Sequence, residues 1–95
     1  MYTLYFDNAG VLTEVGNITT LSCACNRLKL FLQERKEVSD RYLRFWVESD
    51  KELGWCIMID YGSWSTFFII GGFDSAEAAD AFLTEAFKAQ KEQKS

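Results

Sequence analysis

The sequence predicts an α+β protein in which a mostly antiparallel sheet carries two amphipathic helices packed on one face. Two segments space their apolar residues with the helical period, several short segments alternate with a period of two, and proline is absent from the chain. The predicted element order is ββαβββα, or βαβββα if the first hairpin does not form. A length of 95 residues predicts a single domain, 1–95, with 89–95 as a frayed C-terminal tail.

The first two elements are predicted to be short strands joined by a tight turn. Residues 2–6 and 11–15 have strand character, and the sequence between them, Asp7-Asn8-Ala9-Gly10, is rich in turn residues. Asn and Gly tolerate the positive φ angles that a tight hairpin turn requires. A β-hairpin is therefore plausible at the start of the chain.

The third element is predicted to be a helix from about Thr20 to Lys36. Thr19 or Thr20 can cap its N-terminus, because a threonine hydroxyl accepts a free backbone N–H of the first turn. One helical face collects the apolar positions Leu21, Ala24, Cys25, Leu28, Phe31 and Leu32.

Three further strands are predicted to form an antiparallel meander over 41–48, 55–60 and 64–70. In the first of them Leu43, Phe45 and Val47 alternate with a second row, and we expect this apolar row to face the helices. The bulkier rows of the other two strands are also expected to point inward. Gly71-Gly72 is predicted to break the third strand and to act as a hinge.

The last element is predicted to be a second amphipathic helix. Asp74-Ser75-Ala76-Glu77 has the form of a capping box with Asp74 as the cap. The buried face is predicted to consist of Ala79, Phe82, Leu83, Ala86 and Phe87, before the apolar content falls from Lys88 onward.

The sheet face turned away from the helices is the most informative feature of the sequence. Strand alternation places Tyr42, Trp46, Met58 and Phe67 on it, a composition more apolar than that of an ordinary solvated sheet face. Three explanations of this apolar face are open. The N-terminal hairpin or the C-terminal tail covers it, aromatic cross-strand pairs on it stabilise the sheet, or it binds a partner. The predicted binding residues are Tyr42, Arg44, Trp46, Asp60, Tyr61 and Trp64.

Charge and composition limit the classes of partner. Ten basic and fourteen acidic residues give a formal net charge of −4 and a pI near 4.7, which predicts no binding to nucleic acid or to a membrane surface. Three cysteines cannot all pair with one another, and the chain shows no targeting or membrane-spanning segment, so we expect a cytoplasmic protein.

The search for catalytic or metal-binding chemistry is largely negative. The chain has no histidine, so the commonest general base and metal ligand is missing. Cys23-Ala24-Cys25 lacks the redox spacing, and the acidic turn at Glu48, Asp50 and Glu52 lacks the calcium-loop spacing. We therefore predict no catalytic residue, no metal and no cofactor, with a reactive Cys23 as the enzymatic alternative.

The predicted function is that of a small non-enzymatic protein–protein interaction module binding through the aromatic-rich sheet face. The segment from Asp60 to Ser65 and the Phe67-Phe68 pair have the look of small proteins from bacteria and mobile elements, which favours an inhibitor or immunity-type protein. Its partner is expected to be another protein, basic in charge, or a second copy of the chain. The alternatives are a small-ligand-binding domain and a structural homodimer without separate activity.

Overall fold

The computed structural model describes residues 1–37 and 43–93 and contains five strands and two helices. The elements are β1 Tyr2–Asn8, β2 Val11–Ile18, α1 Leu21–Glu34, β3 Arg44–Asp50, β4 Gly54–Asp60, β5 Thr66–Phe73 and α2 Ala76–Gln93. The predicted α+β class and the order ββαβββα are confirmed, and the first hairpin forms. The single-domain organisation and the frayed tail stay predictions.

The strands form one antiparallel sheet with the spatial order β2-β1-β5-β4-β3. The predicted meander of β3, β4 and β5 is present. The last strand lies in the middle of the sheet because β1 of the N-terminal hairpin pairs with its other side. The edge strands of the sheet described are therefore β2 and β3.

The main core lies between the sheet and both helices. Its centre is the fully buried Phe68 of β5, whose ring lies 5.1 Å from that of Phe6, 5.7 Å from that of Phe31 and 5.3 Å from that of Tyr61. The rows expected to face inward do so, and they pack against the buried faces of the two helices. The buried members of this core include Leu4, Phe6, Ile18, Leu28, Leu32, Ile57, Ile59, Phe68, Ile70, Phe73, Ala79 and Leu83.

Several predicted boundaries are wrong by a few residues. The helix cap of α2 is Ser75 rather than Asp74, since the Ser75 hydroxyl accepts the N–H of Ala78 at 3.1 Å. In the first turn the positive φ angles fall on Ala9 and Gly10, while Asn8 stays in β1 opposite Val11. The start of the predicted third strand at 41–42 lies outside the described residues.

The predicted break at Gly71-Gly72 is also wrong, because both glycines continue β5. A Cβ atom at Gly71 would lie 3.2 Å from Tyr5 Cε2 and 3.8 Å from Leu53 Cβ. Glycine is therefore used here for close approach of neighbouring side chains to a strand, not for a hinge.

The C-terminus of α1 is closed by a lysine in the left-handed conformation. The Thr20 cap is confirmed by a 3.1 Å hydrogen bond from the Cys23 N–H, but the helix ends at Glu34 rather than Lys36. The N–H of Lys36 donates to the Gln33 carbonyl at 3.0 Å, and that of Glu37 donates to the Leu32 carbonyl at 2.8 Å. This pair of bonds is a Schellman motif, in which Lys36 takes a φ of 59°.

Lys36→Gly is expected to raise the free energy of unfolding by about 0.5–1 kcal/mol, because glycine adopts this conformation without a Cβ penalty. Lys29→Gly in the exposed middle of α1 is the matched control, and it is expected to lower the free energy of unfolding by about 1 kcal/mol. Chemical denaturation of both variants checks the pair. Equal destabilisation by both glycines would contradict the assigned cap.

Candidate docking face

The sheet surface opposite the helices, here called the open face, carries one continuous row of side chains across all five strands. The cross-strand pairs are Glu14 with Tyr5, Tyr5 with Ile69, Ile69 with Met58, and Met58 with Trp46. Paired residues in an antiparallel sheet point to the same side. The row therefore runs from Glu14 at the β2 edge to Trp46 at the β3 edge.

Beneath the open face lies a second, smaller apolar cluster. Cys56, Met58 and Ile69 are buried there, and Ile69 is only 3% exposed. Four partly buried side chains pack around them: Tyr5, Leu12, Leu53 and Phe67. We call these seven residues the open-face cluster. Leu53 belongs to the β3–β4 turn, so this turn lies over the sheet and helps to cover the buried members of the cluster.

Trp46 extends this cluster to the edge of the sheet. Its ring meets the ring of Phe67 in a T-shaped contact with the centroids 6.2 Å apart. Trp46 nevertheless stays 37% exposed. One side of the indole is therefore fixed by packing, and the other is free to contact solvent or a partner.

Charged groups surround the apolar surface, and most of them are acidic. Arg44 lies opposite Asp60 in the register of β3 and β4. The Asp60 carboxylate accepts the N–H of Gly62 at 2.9 Å, so it stabilises the turn after β4. In the part of the chain that the structure describes, the acidic residues on the open-face rows and the adjoining turns are Asp7, Glu14, Glu48, Asp50, Glu52 and Asp60, against Arg44 and Lys51.

A cleft of about 370 Å³ lies between the β1–β2 turn and the β3–β4 turn. Asp50 at its rim accepts the N–H groups of Glu52 at 2.8 Å and Leu53 at 2.9 Å. The bond from Leu53, and to a smaller extent the bond from Glu52, lowers the pKa of the Asp50 carboxyl and keeps it ionised. The lining is Asp7, Gly10, Leu12, Ser49, Asp50, Lys51, Glu52 and Ile69, without the aromatic residues that the ligand-binding alternative requires.

Three of the predicted binding residues come together on the open face. Arg44 and Trp46 belong to β3, and Asp60 is the cross-strand neighbour of Arg44. Tyr42 lies outside the described residues, so its predicted role stays untested.

Tyr61 and Trp64 are placed elsewhere. Tyr61 continues the inward row of Ile57 and Ile59, is 4% exposed, and shares a hydrogen bond with the Thr66 hydroxyl, so it belongs to the core. Trp64 lies in the loop before β5 rather than in that strand, and it is 99% exposed. Tyr61 follows Ile57 and Ile59 at a spacing of two, so the alternation that turns those isoleucines inward turns Tyr61 inward as well.

Sequence reasoning missed part of the open face. Tyr5 alternates with the inward Leu4 and Phe6, so alternation in β1 was a usable signal for it. To predict Leu12 on this face, the register of the first hairpin must be known, and to predict Leu53 there, the path of the β3–β4 turn must be known. No local pattern in the sequence gives either one.

Neither Cys25 nor Cys56 is an activated thiol, and the alternative of a reactive Cys23 stays a prediction. Burial raises the pKa of the Cys25 thiol, against a smaller opposing effect of Lys29. Burial, followed by the nearby Asp50 and Glu48 carboxylates, raises the pKa of Cys56 to about 11. Both thiols are therefore protonated at neutral pH, whereas a nucleophilic cysteine needs a lowered pKa.

Among the side chains that the structure describes, in 1–37 and 43–88, no three Cys, Asp or Glu come together as a group able to hold a metal ion. Neither helix, over the part of the chain described, is both long and apolar enough to span a bilayer.

Comparison with protein-family models, curated proteins and solved structures finds no match to this chain.

Proposed function

We propose that this chain is a non-enzymatic interaction module that binds a basic protein through its open face. The observation that carries the proposal is the half-exposed Trp46, held by Phe67 at the end of an apolar row on a sheet face that the helices do not cover. Trp, Tyr, Met and Arg are enriched at interface cores, and all four types are present on this face.

Packing beneath the face supports binding. Ile69 and Met58 are buried under their neighbours, so the surface is built on a fixed layer. A partner that docks on such a surface loses little entropy from ordering it. Trp46 would then supply a large share of the affinity as an aromatic anchor.

The charges support a basic partner. Among the residues described, six carboxylates on the face and its adjoining turns stand against two basic side chains, and the chain carries a net charge of −4. Complementary charge speeds association and selects partners, while apolar contacts supply most of the affinity. An inhibitor or immunity-type protein in the cytoplasm would act in this way, by covering a basic site on its target.

A matched pair of tryptophans offers the test. Trp46 and Trp55 are each 37% exposed, but Trp55 pairs with Phe73 on the helix-facing side of the sheet. Partners captured by the wild-type chain are compared with those captured by Trp46→Ala and by Trp55→Ala, after both variants are shown to fold. We expect Trp46→Ala to weaken binding by about 2 kcal/mol or more, roughly thirtyfold.

The proposal also predicts how binding of the partner depends on salt concentration. Binding of the captured partner is expected to weaken as ionic strength rises, because exposed charges are screened. Partners that bind Trp46→Ala as tightly as the wild-type chain would contradict the proposal, whether or not Trp55→Ala loses them, as would capture of no partner by the wild-type chain.

A further inference from the structure

The two edges of the sheet differ in a way that matters for self-association. At the β2 edge, a register shift opposite Leu4 and Tyr5 leaves Val15 without a cross-strand partner. The Arg27 side chain also lies against this strand, with Nη1 2.7 Å from the point where a Cβ at Gly16 would stand. β-Bulges and charged side chains that lie against an edge strand are features that block its pairing with another strand.

The β3 edge lacks such a bulge over its described length. All seven residues from Arg44 to Asp50 pair with β4 in an unbroken register. The regular strand therefore presents evenly spaced backbone groups along its outer side, which is the geometry that a further strand requires.

We propose that β3 pairs antiparallel with β3 of a second copy of this chain, with Trp46 on the two-fold axis. In this register Trp46 lies opposite the partner's Trp46. Arg44 lies opposite the partner's Glu48, and the same ion pair occurs twice because the contact is isologous. On the helix-facing side, Phe45 lies opposite the partner's Val47, so apolar side chains face each other on this side of the paired strands as well.

One of the two neighbouring registers is clearly less favourable. With Val47 on the axis, Arg44 would face the partner's Asp50, and Trp46 would face the partner's Glu48. The Asp50 carboxylate already accepts two backbone N–H groups in its own turn. An aromatic ring opposite a carboxylate also replaces the aromatic pair that stabilises antiparallel strands.

Exposed apolar surface along β3 supports the same pairing. On the helix side, Phe45 contacts Phe87 of α2 at 6.0 Å between ring centroids, and Phe87 is 43% exposed. On the open face, Trp46 is exposed at the same edge. A second copy would shield both rings and join the two open faces into one ten-stranded surface, whether or not that surface binds another protein.

Charge reversal tests the pairing and its register. The molar mass of the wild-type chain is measured by sedimentation equilibrium between about 1 µM and 1 mM, and we expect a shift from monomer to dimer. Glu48→Arg or Arg44→Glu alone should raise the dimer Kd at least about tenfold, because each places two like-charged pairs across the axis.

Two recombinations should restore the dimer. The double variant Arg44→Glu/Glu48→Arg re-forms both ion pairs with their signs exchanged. An equimolar mixture of the two single variants should form a heterodimer, since every facing pair is then of opposite charge. Glu14→Arg on β2 is the matched control, with the same charge change on the same face at the other edge, and should leave the mass unchanged.

The outcomes separate this inference from the proposed function. A wild-type chain that stays monomeric over the whole range overturns the inference, and so does a dimer that Glu48→Arg leaves intact or that the double variant does not restore. Partner capture that depends on Trp46 in a monomeric chain would leave the proposed function standing.

Discussion

Phe68→Ala is expected to lower the free energy of unfolding by about 3–5 kcal/mol. Phe68 is fully buried in the central strand and contacts the rings of Phe6, Phe31 and Tyr61. Truncation leaves a cavity where β1 and β5 meet α1. This cavity cannot close unless several of these elements move. Since small domains have only about 5–15 kcal/mol of stability, the variant should be close to unfolding at ambient temperature.

Phe87→Ala is the matched control for this prediction. Phe87 is 43% exposed on α2, so its truncation should cost clearly less, about 1 kcal/mol or below. Urea denaturation of both variants gives the comparison. If the two substitutions cost the same, Phe68 would not be the centre of the core.

Ile69→Ala is expected to lower the free energy of unfolding by about 2–4 kcal/mol. This value is large for a residue on a sheet face without a helix over it. The reason is that Ile69 is 3% exposed within a buried cluster against which Tyr5, Phe67 and Leu53 pack. The open face thus contains a small core of its own, and this core holds the docking surface in place.

Val11→Ala provides the control, because Val11 is a β-branched residue exposed at the start of β2. Its truncation should change the free energy of unfolding by less than about 0.5 kcal/mol. An Ile69→Ala variant as stable as Val11→Ala would show that the open face is loosely packed, and the proposed fixed surface would then lose its basis.

Much of the fold could be predicted from the sequence, because periodicity is a local property. The helical spacing in α1 and α2 and the alternation in β3 identified the elements and their inward rows. The same alternation predicts Arg44 and Trp46 on the open face, where the structure places them. The Thr20 cap was also readable, since a threonine directly precedes the first buried residue of the helix.

The remaining features depend on contacts between distant segments. The insertion of β5 between β1 and β4 follows from packing of the N-terminal hairpin, which no local pattern encodes. The glycine pair predicts a hinge at Gly71 because no local pattern shows that Tyr5 and Leu53 lie next to it. The residue type of Tyr61 favours a binding role, whereas its position in the inward row of β4 places it in the core.

The three tryptophan indoles provide the most direct test of the docking face. Each gives one indole N–H signal in a ¹⁵N-labelled sample, and each lies in a different place: Trp46 on the open face, Trp55 on the helix side and Trp64 in a loop. With the labelled chain held at constant concentration, the captured partner is added stepwise. We expect the Trp46 signal to shift and the Trp55 signal to stay in place, whereas a shift of Trp55 with an unchanged Trp46 would contradict the proposed docking face.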